Sequence, residues 1–232
     1  MWVYVMLAAV FTAGVTANKE ETVGGITTKV LGQSGKIQVY KEGQNASSGV
    51  TITMSAIRER QSDGNEINSH NFNTFAVQDF TFSSSEETTY PDSDVNVTQF
   101  FFESTVEVGK GQTKDGTAKV KSYIYIFSSD GNITVDGGNQ TVSEGVMKFN
   151  IEIQDWPFCG AGAVTCAQGA TAQVGATLDF EVEIKGQGNT TSVAGDSKTY
   201  DVGGATVIVP VQVRSYRRSS LICIAKPHPI PW

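Results

Sequence analysis

The stretch "VMKFNIEIQDWPFC", residues 146–159, decides the fold class. Met147, Phe149, Ile151 and Ile153 alternate with Lys148, Asn150, Glu152 and Gln154. That period of two places the apolar set on one face of an extended chain and the polar set on the other. The strand then runs into Asp155-Trp156-Pro157-Phe158 and Cys159. Two readings follow: a core strand of a sandwich that ends in a stapled corner, or a corner whose aromatics form a binding surface.

Outward from this stretch, strand candidates recur at short spacing: "KIQVY", "GVTITMSAIRER", "NTFAVQDFTF", "VNVTQFFFESTVEV", "TAKVKSYIYIF", "NITVD", "TLDFEVEIK" and "GATVIVPVQV". Turn signals separate them, among them Asp63-Gly64, Asp115-Gly116, Asp130-Gly131 and Asp136-Gly137. No amphipathic helical stretch competes, so the expected fold is all-β, an antiparallel β-sandwich of the jelly-roll kind with its strand order open. Hydrophobic residues at 39%, with 12 Phe and 7 Tyr, suffice for a core and exclude a disordered chain.

The chain begins "MWVYVMLAAVFTAGVTANKE", an apolar run with Val15 and Ala17 at the small-residue positions of a cleavage site. It reads as a secretory signal over residues 1–17, although no basic residue precedes it. A membrane anchor is the alternative, and the run is shorter than the roughly 20 apolar residues a span needs. About 215 residues then remain, enough for one all-β domain over 18–213 or two small sub-units of strands. Sequons at Asn45, Asn96, Asn132, Asn139 and Asn189 add up, with the signal, to a secreted glycoprotein.

The formal charge of −7 is unevenly spread. Residues 214–232 hold four basic residues and no acidic one, so the rest of the chain carries 24 acidic against 13 basic. Such a body attracts cations and disfavours nucleic acid. The basic, proline-containing tail is expected to be a truncated or alternative C-terminus.

Acid is concentrated in three places. "TLDFEVEIK" turns Leu178, Phe180, Val182 and Ile184 to one face and Asp179, Glu181 and Glu183 to the other, with same-face neighbours about 7 Å apart. This is a cation-attracting strip or a solvated strand face. Loops add Glu86, Glu87, Asp92 and Asp94, and Asp63 with Glu66. Asp92-Ser93-Asp94 has the start of a calcium loop without its Gly and distal Glu, so calcium there would bind on the order of 10⁻⁴ to 10⁻³ M. Expected metal contacts are therefore Asp179, Glu181, Glu183, Asp92 and Asp94, weak and diffuse, with no tightly bound cofactor.

Cys159 and Cys166 enclose "GAGAVT" and can close a local disulfide worth roughly 2.5 kcal/mol by loop entropy. Zinc is the alternative, but no His or second Cys pair stands at ligand spacing. Cys223 is left over. Of the two histidines, His70 falls in a polar loop and His228 in the tail, and no nucleophile motif accompanies either, so no enzyme is expected. A second functional class is a carbohydrate- or protein-binding adhesion module with Trp156, Phe158 and Tyr90 as stacking aromatics.

"YIYIFSSDGNITVDGGNQTVSEGVMKFNIEIQDWPFC", residues 123–159, followed by "TLDFEVEIKG", resembles the coral skeletal acid-rich and acidic skeletal organic matrix protein family, over about residues 73–209. The resemblance implies a secreted protein of the extracellular matrix of the skeleton whose acidic groups meet calcium ions or calcium carbonate mineral. It implies other matrix proteins or polysaccharide as further partners, no membrane after signal cleavage and no catalytic residue. On this chain it carries over the strand Met147–Gln154, Trp156, Cys159 and Cys166 as fold-determining. Two features depart from the family pattern: no acidic run is longer than Glu20-Glu21 or Glu86-Glu87, and the sequence turns basic at Arg214.

Overall fold

The structure, a computed structural model, describes residues 18–109, 116–135, 138–161, 164, 166–168, 171–186, 192–193, 197–201, 205–210 and 219–227. The leader expected over residues 1–17, Asn189 and His228 lie outside these.

In chain order the strands are β1 (Lys19–Val23), β2 (Ile26–Val30), β3 (Ile37–Lys41), β4 (Val50–Arg60), β5 (Glu66–Phe72), β6 (Thr81–Phe82), β7 (Glu86–Thr89), β8 (Asn96–Val108), β9 (Gly116–Phe127), β10 (Gly131–Val135) and β11 (Gly138–Val142). They continue as β12 (Met147–Gln154), β13 (Cys166–Gln168), β14 (Thr171–Gln173), β15 (Thr177–Lys185), β16 (Ser192–Val193), β17 (Ser197–Asp201), β18 (Ala205–Pro210) and β19 (Ser219–Pro227). All pairings are antiparallel. One sheet has the order β1-β2-β3-β4-β15, with β5 also on β4; the other runs β16-β17-β18-β19-β12-β9-β8-β6, with β7 also on β8. Two short hairpins, β10-β11 and β13-β14, stand apart.

The two sheets face each other across one core. Val30, Ile37, Val50, Ile52 and Ile57 from the first sheet meet Phe102, Val120, Ile124, Met147, Phe149 and Ile151 from the second, all essentially without solvent exposure. The all-β antiparallel sandwich class expected from the alternation is therefore present. The apolar face of Met147–Ile153 is core on a central strand, paired on both sides by β9 and β19. Strand β19 falls within the basic stretch set apart as a tail.

"NTFAVQDFTF" is not the strand its composition suggested. Phe75–Val77 is a 3₁₀ turn, Asp79 makes an isolated bridge to Gln33, and only Thr81–Phe82 joins a strand ladder. Phe75 and Phe80 instead turn inward and link the sheets by ring contacts: Phe75 meets Phe72 at 4.7 Å and Phe180 at 5.9 Å, and Phe80 meets Phe102 at 5.3 Å. The chain passes close by at Gly35, which has φ +60° and whose missing Cβ would fall 2.5 Å from Met54 Cε. A second apolar cluster forms on the outer face of the larger sheet, where the β10-β11 hairpin lays Ile133 and Val142 against Tyr90, Val95, Val97, Phe127 and Val146.

The inward plug separates two residues that a strand would have placed on one face. Phe75→Ala is expected to cost about 3–5 kcal/mol in urea unfolding. Val77→Ala, two residues on and 69% exposed, should stay within about 0.5 kcal/mol of the parent. Equal costs would show that the segment lies on the sheet after all.

Candidate functional site

The acidic strand β15 lies beside β4, and its outward carboxylates meet basic side chains. Arg60 Nε pairs with Asp179, Arg58 Nε with Glu181 Oε1 at 2.5 Å, and Lys185 Nζ with Glu183 Oε1 at 2.9 Å. Arg58 reaches further, placing Nη1 3.1 Å from Glu66 Oε1. The two arginine pairs are diagonal, since Asp179 stands opposite Arg58 in the register and Glu181 opposite Ala56. The Arg58 guanidinium hydrogen-bonds Glu181 and holds its carboxyl below the usual carboxylate range, while the same bond raises Arg58 further. The strip is thus a ladder of alternating charge. Any cation binding there has to displace these partners.

Asp92 and Asp94 differ. Both are exposed in the turn between β7 and β8, and among the described residues neither takes part in an ion pair. Ser93 shapes the turn, donating from N and Oγ to Tyr90 O at 3.1 and 3.0 Å, and Asp92 takes φ +58°.

Four of the sequon asparagines, Asn45, Asn96, Asn132 and Asn139, are exposed. Asn45 caps a 3₁₀ turn by accepting from Ser47 N at 3.1 Å, and Asn132 Oδ1 accepts from Thr141 Oγ1 at 2.8 Å.

The aromatics expected as anchors are mainly interior. Trp156 and Tyr90 are 8% exposed, and Phe158 is half-buried against the main core. Trp156 is held by a feature that strand alternation hides. In β4 the register skips Ser55, because Glu181 faces Ala56 while Val182 faces Met54. This bulge inverts the parity of the strand. Before it Val50, Ile52 and Met54 point inward; after it Ile57 and Glu59 do, and Arg58 and Arg60 point out to β15.

Glu59 is consequently a fully buried carboxylate, and it is well supplied with partners. Its Oε2 lies 2.6 Å from His70 Nδ1 and accepts from Trp156 Nε1 at 2.7 Å, while Oε1 accepts from Cys159 N at 2.9 Å. His70, read from the sequence as a loop residue, is a buried residue of β5. Its ring meets Trp156 edge-on at 6.0 Å. Cys159 and Cys166 form the expected disulfide, with Cα atoms 5.4 Å apart. Gly175 closes the site: its amide donates to Cys159 O at 2.9 Å, and a Cβ there would fall 1.5 Å from Glu59 Oε1. His70 lies within 4.8 Å of both cysteine sulfurs, a proximity that their spacing in sequence does not disclose. With the sulfurs joined to each other, the group is a structural knot and offers no thiolate to a metal.

Residues 7–211 match the family model described as acidic skeletal organic matrix protein. No solved structure matches the chain.

Two predictions arise from this geometry. Glu59→Ala removes the hydrogen-bond partner of three buried groups and should cost about 3–5 kcal/mol in urea unfolding. Gly175→Ala should also destabilise, and the double variant should cost clearly less than the sum of the two, because the new methyl then meets no carboxylate. Additive costs would separate Gly175 from the knot. For the surface ladder, Glu181 is held below its unfolded pKa, so its contribution is complete above the ordinary carboxylate range and is lost as pH falls through the folded value. The melting-temperature gap between parent and Arg58→Met should therefore narrow on acidification, from a contribution of about 1 kcal/mol or less because the pair is partly exposed.

Proposed function

The chain belongs to the acidic skeletal organic matrix protein family, and we propose that it is a secreted, non-enzymatic glycoprotein that meets calcium and calcium carbonate through weak, dispersed carboxylates. The observation that carries this reading is how the acid is arranged. A chain whose first 213 residues hold 24 acidic side chains folds as a two-sheet sandwich, and it leaves acids such as Asp92 and Asp94 exposed on turns. A mineral face presents many weakly held ions, so adhesion there grows by multivalency without one tight cage.

Two carboxylate sets enter with different weight. Asp92 and Asp94 meet a cation directly. Asp179, Glu181 and Glu183 meet it by exchanging their arginine and lysine partners, which suits a crowded ionic surface better than dilute calcium. The non-enzymatic reading is supported by the one described histidine, which is enclosed with Glu59 and Trp156 where no substrate reaches.

Calcium titration of the secreted, glycosylated protein tests the assignment. Weak binding at several sites is expected, on the order of 10⁻⁴ to 10⁻³ M. Asp92→Asn with Asp94→Asn should remove more bound calcium than Asp179→Asn, Glu181→Gln and Glu183→Gln together. No binding up to millimolar calcium would overturn the proposal, and a larger loss from the triple variant would move the contact to β15.

A further inference from the structure

The outer face of the larger sheet holds a groove that the mineral reading does not use. β6 and β7 form one interrupted edge along β8, and Ser83, Ser84 and Ser85 bridge the interruption. Ser83 stitches the bridge to the sheet: its N donates to Phe101 O at 2.9 Å, and its Oγ accepts from Phe101 N at 2.9 Å. Beside this kink lies a hollow of about 360 Å³, within the range of about 300–1,000 Å³ typical of small-ligand sites.

Its floor is aromatic. Phe101 stands directly opposite Tyr123 in the register, with ring centroids 6.0 Å apart, and Tyr125 follows on the same face of β9. All three are half-buried. Its rim is polar, made of Ser83, Ser84, Glu86 and Gln99, with Gln99 Nε2 donating to Glu86 Oε2 at 3.4 Å. No aliphatic side chain lines it. Lys121 packs its ammonium 3.5 Å from the Phe101 centroid and 3.8 Å from Glu103 Oε2, so this neighbouring cation is already held by a ring and a carboxylate.

This combination selects its occupant by chemistry. An apolar peptide segment would find rings but no aliphatic complement, and a polyanion would meet Glu86 without a lining cation to offset it. A pyranose fits, because it shows a face of polarised C–H groups to the negative face of an aromatic ring and a rim of hydroxyls to carboxylate, amide and serine groups. We propose that this groove binds a neutral polysaccharide chain, with sugar rings seated in the hollow against the aromatic floor of Phe101, Tyr123 and Tyr125 and hydroxyls bonded to Glu86 and Gln99. The site is separate from the carboxylates assigned to calcium, and its failure would leave that assignment standing.

The test uses the secreted, glycosylated protein and two neutral β-linked hexamers, one of glucose and one of N-acetylglucosamine, titrated by calorimetry, with chondroitin sulfate as the anionic comparison. At least one hexamer should bind, and Tyr123→Ala should weaken it by about tenfold, the loss of one well-placed aromatic contact. Because Tyr123 is half-buried, Ser84→Trp provides a second variant at an exposed position. It fills the hollow from the rim and should abolish binding while leaving the melting temperature and calcium binding at parent values. Absence of binding to both hexamers up to about 10 mM would overturn the proposal. So would undiminished binding by Ser84→Trp, or binding of chondroitin sulfate alone.

Discussion

The buried Glu59 carboxylate is the constraint on which the closed end of the sandwich depends. A carboxylate with no solvent exposure is tolerated only when its charge or proton is matched by hydrogen bonds. Here the matching groups come from separate places along the chain: His70 on the neighbouring strand, the Trp156 indole at the corner after β12, and the Cys159 amide within the disulfide loop. Gly175 then passes where any side chain would strike the carboxylate. One acidic group thus fixes the relative positions of β4, β5, the corner and the approach to β15. The disulfide acts on the same corner by shortening the unfolded chain's freedom, so covalent and polar constraints reinforce each other at one point.

The bulge at Ser55 makes this possible and has a second consequence. The same inversion of parity that turns Glu59 inward turns Arg58 and Arg60 outward. Without it two arginines would face the core and Glu59 would face solvent. The outward arginines then meet the acids of β15, which lies at the edge of its sheet. A strand edge bearing paired opposite charges holds its register against β4 and is poorly suited to pairing with a foreign strand. The interior knot and the surface ladder are two faces of a single extra residue.

Alternation made the class of fold legible, and it placed β4, β8, β9, β12 and β15 because each is long and has one buried face. It could not place β1, β5 or β7, where polar residues break the apolar alternation even though each strand pairs with its neighbour in the chain. It also misassigned the segment around Phe75, whose aromatics are spaced as if for a strand yet plug the gap between the sheets. The disulfide was legible from spacing in an oxidising context. The knot was not, because its acid and histidine sit within polar stretches; the visible clue was "MSAIRER", where continued alternation would have buried Arg58 and Arg60. The groove over Phe101 and Tyr123 was equally hidden, since it arises from side chains on adjacent strands and an interrupted edge.

How the acid is held bears on what the molecule does. A carboxylate with an arginine beside it gains little from a dilute divalent ion, because binding must first break a charge-assisted hydrogen bond. At a crystal face the balance changes: lattice cations and carbonate anions stand side by side, and a ladder of alternating charge presents complementary groups to both. The β15 strip is therefore better matched to an ionic solid than to free calcium, whereas Asp92 and Asp94, which make no ion pair among the described residues, would in the proposed reading meet the ion itself. The tightly pinned interior serves the same end. Weak contacts add up only if they are held at fixed spacing, and the Glu59 knot, the aromatic plug and the two-sheet core are what keep them there.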